Sequence, residues 1–209
     1  MDFTVGIFQI VILIFSAVIH EVSHGAMANH LGDPTAKLMG RLTLNPIKHL
    51  EPFGSILLPL TTYLASGGSF LFGWAKPVPY NPMNIRDPRW GSAYIALAGP
   101  LSNFSIALVF GLILRFVHFP ETPFFLAMQG LFIIVVFINL LLGTFNLVPI
   151  PPLDGSKLLF AVLGDTYSGI ERFLEQNSML ILLFFIFFGF SLIIPIIRFF
   201  FSVITGFYF

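Results

Sequence analysis

Long apolar stretches alternate with polar ones along this chain, and their lengths set the elements it predicts. An apolar run from Val5 to Ile19 leads into His-Glu-Val-Ser-His-Gly at 20–25, which predicts a first membrane-spanning helix from about Phe3 to His30. Leu31 to Pro52 turns polar, with Asp33, Lys37, Arg41 and Lys48, and reads as a loop in which His49, like the neighbouring His30, is solvated. Phe53 to Phe72 is apolar and about long enough to span, but Pro59 and Ser66-Gly67-Gly68-Ser69 interrupt it, so a re-entrant hairpin is expected rather than a helix. The proline-rich stretch from Gly73 to Arg89 is biased toward extended backbone. Further spans are predicted from about Trp90 to Val117 and from about Phe124 to Leu147. After these come a polar loop over Lys157–Asn177 and a last apolar segment over 178–209, broken by Pro195 and Arg198. That segment reads as one span to about Ile194 followed by a kinked or interfacial tail, with a single long tilted helix as the alternative.

Composition makes the spans a class assignment. The 209 residues are 56% hydrophobic and 10% charged, with 27 Phe and a mean hydropathy of +0.92, whereas soluble domains carry about 25% charged residues. The expected fold is an all-α polytopic membrane protein with about four transmembrane helices, a re-entrant hairpin and an apolar C-terminal tail. It forms a single unit over 1–209, with no internal repeat and no soluble domain. Ten Lys and Arg balance ten Asp and Glu, which excludes a basic nucleic-acid surface and leaves the lipid bilayer as the environment. Without cysteine, any metal must be held by His and carboxylate. Asp2 and the lack of a basic n-region argue against a removable signal peptide.

His20 and His24, four residues apart, share a helix face one turn apart, where both imidazoles can reach one ion. Glu21 lies on the adjoining flank, able to hold and deprotonate a water on that ion, and His-Glu-x-x-His is a zinc-protease pattern. On a soluble helix the same residues often merely coat a wet face. Here they end an apolar segment, where each ionisable group costs at least ~2.5 kcal/mol unless paired, ligated or hydrated. Phe3 to His20 rises ~26 Å of the ~30 Å hydrocarbon, so the pair lies deep but near one face.

A second stretch, Asn146 to Gly155 (NLVPIPPLDG), must leave helix at Pro149, Pro151 and Pro152, and backbone freed at membrane depth needs a watered or protein-lined site. Asp154 is its one acid. It reads either as an ordinary Asp-Gly turn or as the carboxylate completing a His, His, carboxylate set with an open fourth position. Asp154 shares a membrane side with the histidines only if one full span intervenes, which Trp90–Val117 supplies and which forbids a full crossing by Phe53–Phe72. Eight of the ten Lys and Arg then fall on the metal side, which the positive-inside tendency makes cytoplasmic, with the N-terminus outside. Asn103, within Ala98–Phe104 (AGPLSNF), reads by itself as an interhelical hydrogen-bonding residue, beside Gly99 and Ser102, which permit close backbone approach.

His20 to Gly25, the Gly-x-x-x-Asn at 99–103 and 146–155 together resemble the site-2 protease family of intramembrane zinc metalloproteases. The segment 73–82 (GWAKPVPYNP) is similar to its short prokaryotic branch lacking a PDZ domain. The resemblance reaches to about Lys157, making 1–157 the catalytic core and 178–209 a C-terminal membrane segment. It implies one zinc ion on His20, His24 and Asp154, Glu21 as general base, Asn146 steadying the oxyanion, and Gly99 and Asn103 seating substrate. It further implies substrates that are membrane proteins with single transmembrane helices, cut within the cell membrane of a prokaryote. The rival readings are a membrane zinc transporter, which needs no Glu between its ligands, and an inactive regulator, which would have lost Glu21 or a ligand.

Overall fold

The computed structural model describes residues 3–65, 67, 73 and 75–207. The first helix, α1 (Phe3–His30), has 28 residues and so is ~42 Å long, enough to cross ~30 Å of hydrocarbon with about two turns to spare. After one helical turn at Thr35–Leu38 comes α2 (Pro52–Ala65), which starts with π-type turns behind Pro52. Its 14 residues rise only ~21 Å, too short to span. The interruption expected at Pro59 is absent, since Pro59 sits in the second, α-helical part behind the π turns, while an element too short to cross still fits a re-entrant one. Most of the returning limb, residues 66, 68–72 and 74, lies outside the described residues, but a side chain at Gly73 would overlap Pro59 and the Gly54 carbonyl.

An extended segment then leads into α3 (Pro88–Phe116), started by Pro88 at its first position and by the Asp87 carboxylate, which accepts from the N–H groups of Arg89 and Trp90. α4 (Pro123–Asn146) returns to the metal side and ends where the Pro149–Pro152 run forbids further helix. The polar loop expected over Lys157–Asn177 is instead two helices, α5 (Asp154–Leu163) and α6 (Ser168–Gln176). Charge masked their apolar positions, and on α6 Ile170 and Phe173 are exposed for an interfacial position while Glu171 and Glu175 take the other side. The last segment is one long helical run, α7 (Ser178–Thr205), with π turns at Phe185–Gly189 and Pro195 inside it. The kinked tail after Ile194 is therefore corrected to the alternative of one long helix, whose ~42 Å imply tilt. Among the described residues, four helices of spanning length and composition make the chain a multi-pass integral membrane protein.

Packing between spans centres on Ala107 and Leu114 of α3, Val136 and Leu140 of α4, and Ile193, Ile197 and Phe201 of α7, all nearly inaccessible. The lipid-facing sides stay exposed and apolar, as Phe184, Phe188, Leu192 and Phe199 show. Since lipid tails are as apolar as Leu, these contacts stabilise through close packing and interhelical hydrogen bonds rather than through the exclusion of water.

On the metal side, Asp33 organises the loops. Its carboxylate is wholly buried and accepts from the Thr35 N–H (3.2 Å) and hydroxyl (2.5 Å), the Asn81 N–H (2.6 Å) and the Asn84 amide (2.7 Å). It thereby ties the loop after α1 to the segment before α3. Burial alone would raise its pKa, but the donors from Thr35, Asn84 and Asn81 outweigh it and hold the carboxyl below the ordinary carboxylate value. With the folded pKa depressed, the contribution is complete above the unfolded value near 3.9 and is lost as pH falls through the folded value. Asp33→Ala strands these donors at a cost of about 1–3 kcal/mol per buried group. Thermal unfolding in detergent at pH 7 should show a lower Tm, and the gap from wild type should narrow only below about pH 4. An equal Tm at pH 7 would refute the role.

Candidate metal centre

α1 carries His20 and His24 on one face, α3 lies across that face, and α5 brings Asp154 in from the end of α4. The Asp154 carboxylate oxygen Oδ2 is 3.0 Å from His20 Nε2 and 3.2 Å from His24 Nε2, and the two rings stand nearly perpendicular, at 88°. A tetrahedral zinc with bonds of ~2.0–2.1 Å has ligand–ligand edges of roughly 3.3 Å, which the two distances to Asp154 Oδ2 approach, and all three ligand atoms lie within 4.8 Å of one another.

The other face of each ring decides which atoms those corners offer. His24 Nδ1 is 2.6 Å from the Ile95 carbonyl of α3, and His20 Nδ1 is 2.6 Å from Asn103 Oδ1. Both partners are acceptors, so each neutral ring donates from Nδ1 and turns a lone pair at Nε2 toward Asp154. Two lone pairs and a carboxylate converging at ~3 Å repel one another unless a cation lies between them, and these hard and borderline donors fit zinc. Among the described residues this is the one group of three or more such side chains able to hold a metal.

Two glycines make the convergence fit. A Cβ on Gly99 would lie 2.5 Å from His20 Nε2 and 2.5 Å from His24 Nε2, so the closeness of the α3 backbone to the ligating nitrogens requires glycine there. A Cβ on Gly155 would sit 2.2 Å from the Leu147 carbonyl oxygen, so Asp154 can start α5 against the end of α4 only with glycine after it. The far end of α5 is held by Arg89, whose Nε donates to the Ala161 carbonyl at 2.6 Å, binding the helix that carries Asp154 to the one that carries Gly99.

Glu21 is half-buried on the flank of the same turn, and its Oε2 accepts the Val78 N–H at 2.8 Å. Val78 belongs to an extended strap in which Pro77 and Pro79 have no N–H to give. The strap is anchored by Arg41, which donates to the Lys76 carbonyl at 2.9 Å, and by the Lys76 N–H, which donates to the His49 carbonyl at 2.8 Å.

The structure brings the sequence-predicted His20, His24 and Asp154 together, with Glu21 on the adjoining flank, and places the other residues as follows. Asn103 is fully buried and bonds between helices as its residue type suggested, with its oxygen on His20 and its nitrogen 2.9 Å from Asn139 Oδ1 and 3.4 Å from the Ser16 carbonyl; the substrate-seating role implied by the resemblance finds no contact here. Gly99 lies against the histidine pair rather than against an open groove. Asn146 donates to the Leu142 carbonyl one turn back (3.0 Å), leaving its second amide N–H for other work. His49, read as solvated, is wholly buried against the Thr43 carbonyl at 2.8 Å, because the strap covers it. Ser16, Arg41, Val78 and Asn139 were passed over. Only Asn139 carried a signal: an amide inside an apolar span, seven residues before Asn146 and so on nearly the same face.

Comparison with known proteins gives a match to the model for peptidase family M50 over residues 8–129 and 118–189. Bacillus subtilis (strain 168) YwhC, named "Putative zinc metalloprotease", is 41% identical over 156 residues, covering 73% of this chain and 67% of that protein. Rip2 of Mycolicibacterium smegmatis, which bears the same description, is 33% identical over 156 residues, or 72% of this chain and 56% of the relative. The protein of Methanocaldococcus jannaschii named "Zinc metalloprotease MJ0392" is 26% identical over 163 residues, 77% of this chain but 36% of that one. The chain thus spans only part of each relative. No solved structure gives a significant match.

Proposed function

The chain belongs to peptidase family M50, and from that premise we propose that it is a zinc endopeptidase that hydrolyses peptide bonds within or near transmembrane segments of other membrane proteins. The observation that carries this reading is that Asp154 Oδ2 lies within hydrogen-bond distance of both His20 Nε2 and His24 Nε2 inside a bundle of spanning helices. A single zinc bound there supplies Lewis acidity and lowers the pKa of a coordinated water toward ~7.

The chain's own residues do the rest. Glu21, held by the Val78 N–H, takes the proton of the attacking water and passes it to the departing amine. The second N–H of Asn146 offers a hydrogen bond to the oxygen that gains negative charge. Asn103 and the Ile95 carbonyl keep the two rings aimed while Glu21 works. A substrate helix hides its carbonyls in its own hydrogen bonds, so the segment must unwind before its backbone can reach the site, and helix-weak segments should be cut best. The closeness of Gly73 to Pro59 and Gly54 supports reading 52–73 as a re-entrant element that guides such a segment. The distribution of Lys and Arg supports an active site toward the cytoplasm and an N-terminus outside.

Reconstitution of the chain in vesicles with a single-pass membrane reporter tests the proposal. Cleavage mapped to a position inside or at the edge of the reporter's membrane segment, abolished by a zinc chelator and restored by zinc, is the expected result. Cuts confined to a soluble part of the reporter would overturn the intramembrane reading, and zinc flux without cleavage would favour a transporter.

A further inference from the structure

Behind His20, Asn103 is itself held by two residues outside the recognised motifs. Its nitrogen donates to Asn139 Oδ1 at 2.9 Å and, at a longer 3.4 Å, to the Ser16 carbonyl, and Asn139 in turn donates to Ser16 Oγ at 2.9 Å and to the Val135 carbonyl at 2.9 Å. Ser16, Asn103 and Asn139 are at most 4% exposed, and they come from α1, α3 and α4. Ser16 lies one turn before His20, so the chain of bonds starts beside the metal ligand, crosses two neighbouring helices and returns to the ligand's own helix.

This chain has a direction. A backbone carbonyl can only accept, so the Asn139 nitrogen must face Val135, and its oxygen is left for Asn103. Asn103 must therefore present nitrogen to Asn139 and oxygen to His20, and His20 must donate from Nδ1. The lone pair then remains at Nε2, the atom that faces Asp154. Reversing any one amide would set two donors or two acceptors against each other in a buried, water-poor place, where an unmade hydrogen bond is costly.

We propose that Asn139, with Ser16 behind it, is a positioning residue that fixes the orientation of Asn103 and through it the tautomer and aim of His20 as a zinc ligand. The inference rests on the metal-centre reading above. In this arrangement Asn139 never touches substrate or metal. Its effect reaches the site only through Asn103, which gives it a signature that a merely structural amide lacks: the effects of Asn139 and Asn103 substitutions on zinc affinity should not add.

The experiment measures zinc affinity by chelator competition, and the visible spectrum of the cobalt-loaded protein, on full-length wild type, Asn139→Leu, Asn103→Leu and the double variant in detergent. Asn139→Leu keeps size and helical character in an apolar span, and Asn139→Ser, whose hydroxyl can satisfy the Val135 carbonyl but cannot reach Asn103, replaces it if it does not fold. The expected result is a 10–100-fold loss of zinc affinity for Asn139→Leu, an altered cobalt spectrum, and a double variant no weaker than Asn103→Leu alone. Wild-type affinity in a folded Asn139 variant, or losses that multiply in the double variant, would overturn the positioning role while leaving the metal centre standing. Failure of the wild-type chain itself to bind zinc would overturn both.

Discussion

Glu21→Gln should lower reporter cleavage by about 10²–10⁴-fold while bound zinc stays at the wild-type level. Gln matches Glu in shape, and its amide oxygen can still accept the Val78 N–H, so the strap over residues 76–79 keeps its anchor on α1. None of the atoms converging on Asp154 Oδ2 is changed. What disappears is the ability to take a proton, since the amide is neither basic nor able to carry a proton to the leaving amine. The separation of the two readouts is the point: cleavage lost with zinc retained isolates a proton-transfer role. Equal cleavage by both proteins would remove Glu21 from the mechanism.

Gly99→Ala should reduce zinc affinity at least as much as the ~100-fold at the upper end for residues that only orient ligands, and activity should fall with it. The added carbon would stand 2.5 Å from the ligating nitrogens of both histidines, so at least one ring must turn away. Alanine otherwise favours a helix interior over glycine by ~0.8–1.0 kcal/mol, so α3 should not be weakened as a helix. A folded Gly99→Ala protein with normal helical content and little zinc is the expected product, read by circular dichroism and metal analysis. Wild-type zinc affinity in that variant would show that α3 can retreat and that the close approach is not required.

The spans were legible in the sequence because apolar length is a strong signal. The predicted Phe3–His30 coincides with α1, and α3 and α4 differ from expectation by one or two residues at each end. The ligands were legible because the i, i+4 spacing fixes two of them on one face, and the proline run gives a reason for Asp154 to sit at a break in helix. Less could be read where a fold is decided by partners distant in sequence. Arg41 and His49 look like loop polar residues until the strap closes over them, and Asn103 is legible as an interhelical amide while its partners, His20 and Asn139, are not. Over α5 and α6 charge suggested a loop, yet the apolar positions among the charges suffice for helices lying at the metal side. At α7, Pro195 suggested a break, but a helix whose Ile193, Ile197 and Phe201 pack on α3 and α4 around it tolerates the lost hydrogen bond.

Zinc stoichiometry combined with zinc-edge X-ray absorption on the purified full-length chain tests the central claim most directly. The geometry predicts one zinc per chain, with nitrogen and oxygen neighbours at ~2.0–2.1 Å that include two imidazoles, and loss of most of that zinc in either His24→Ala or Asp154→Ala. Zinc retained in full by both variants, or a metal shell without imidazole, would contradict it.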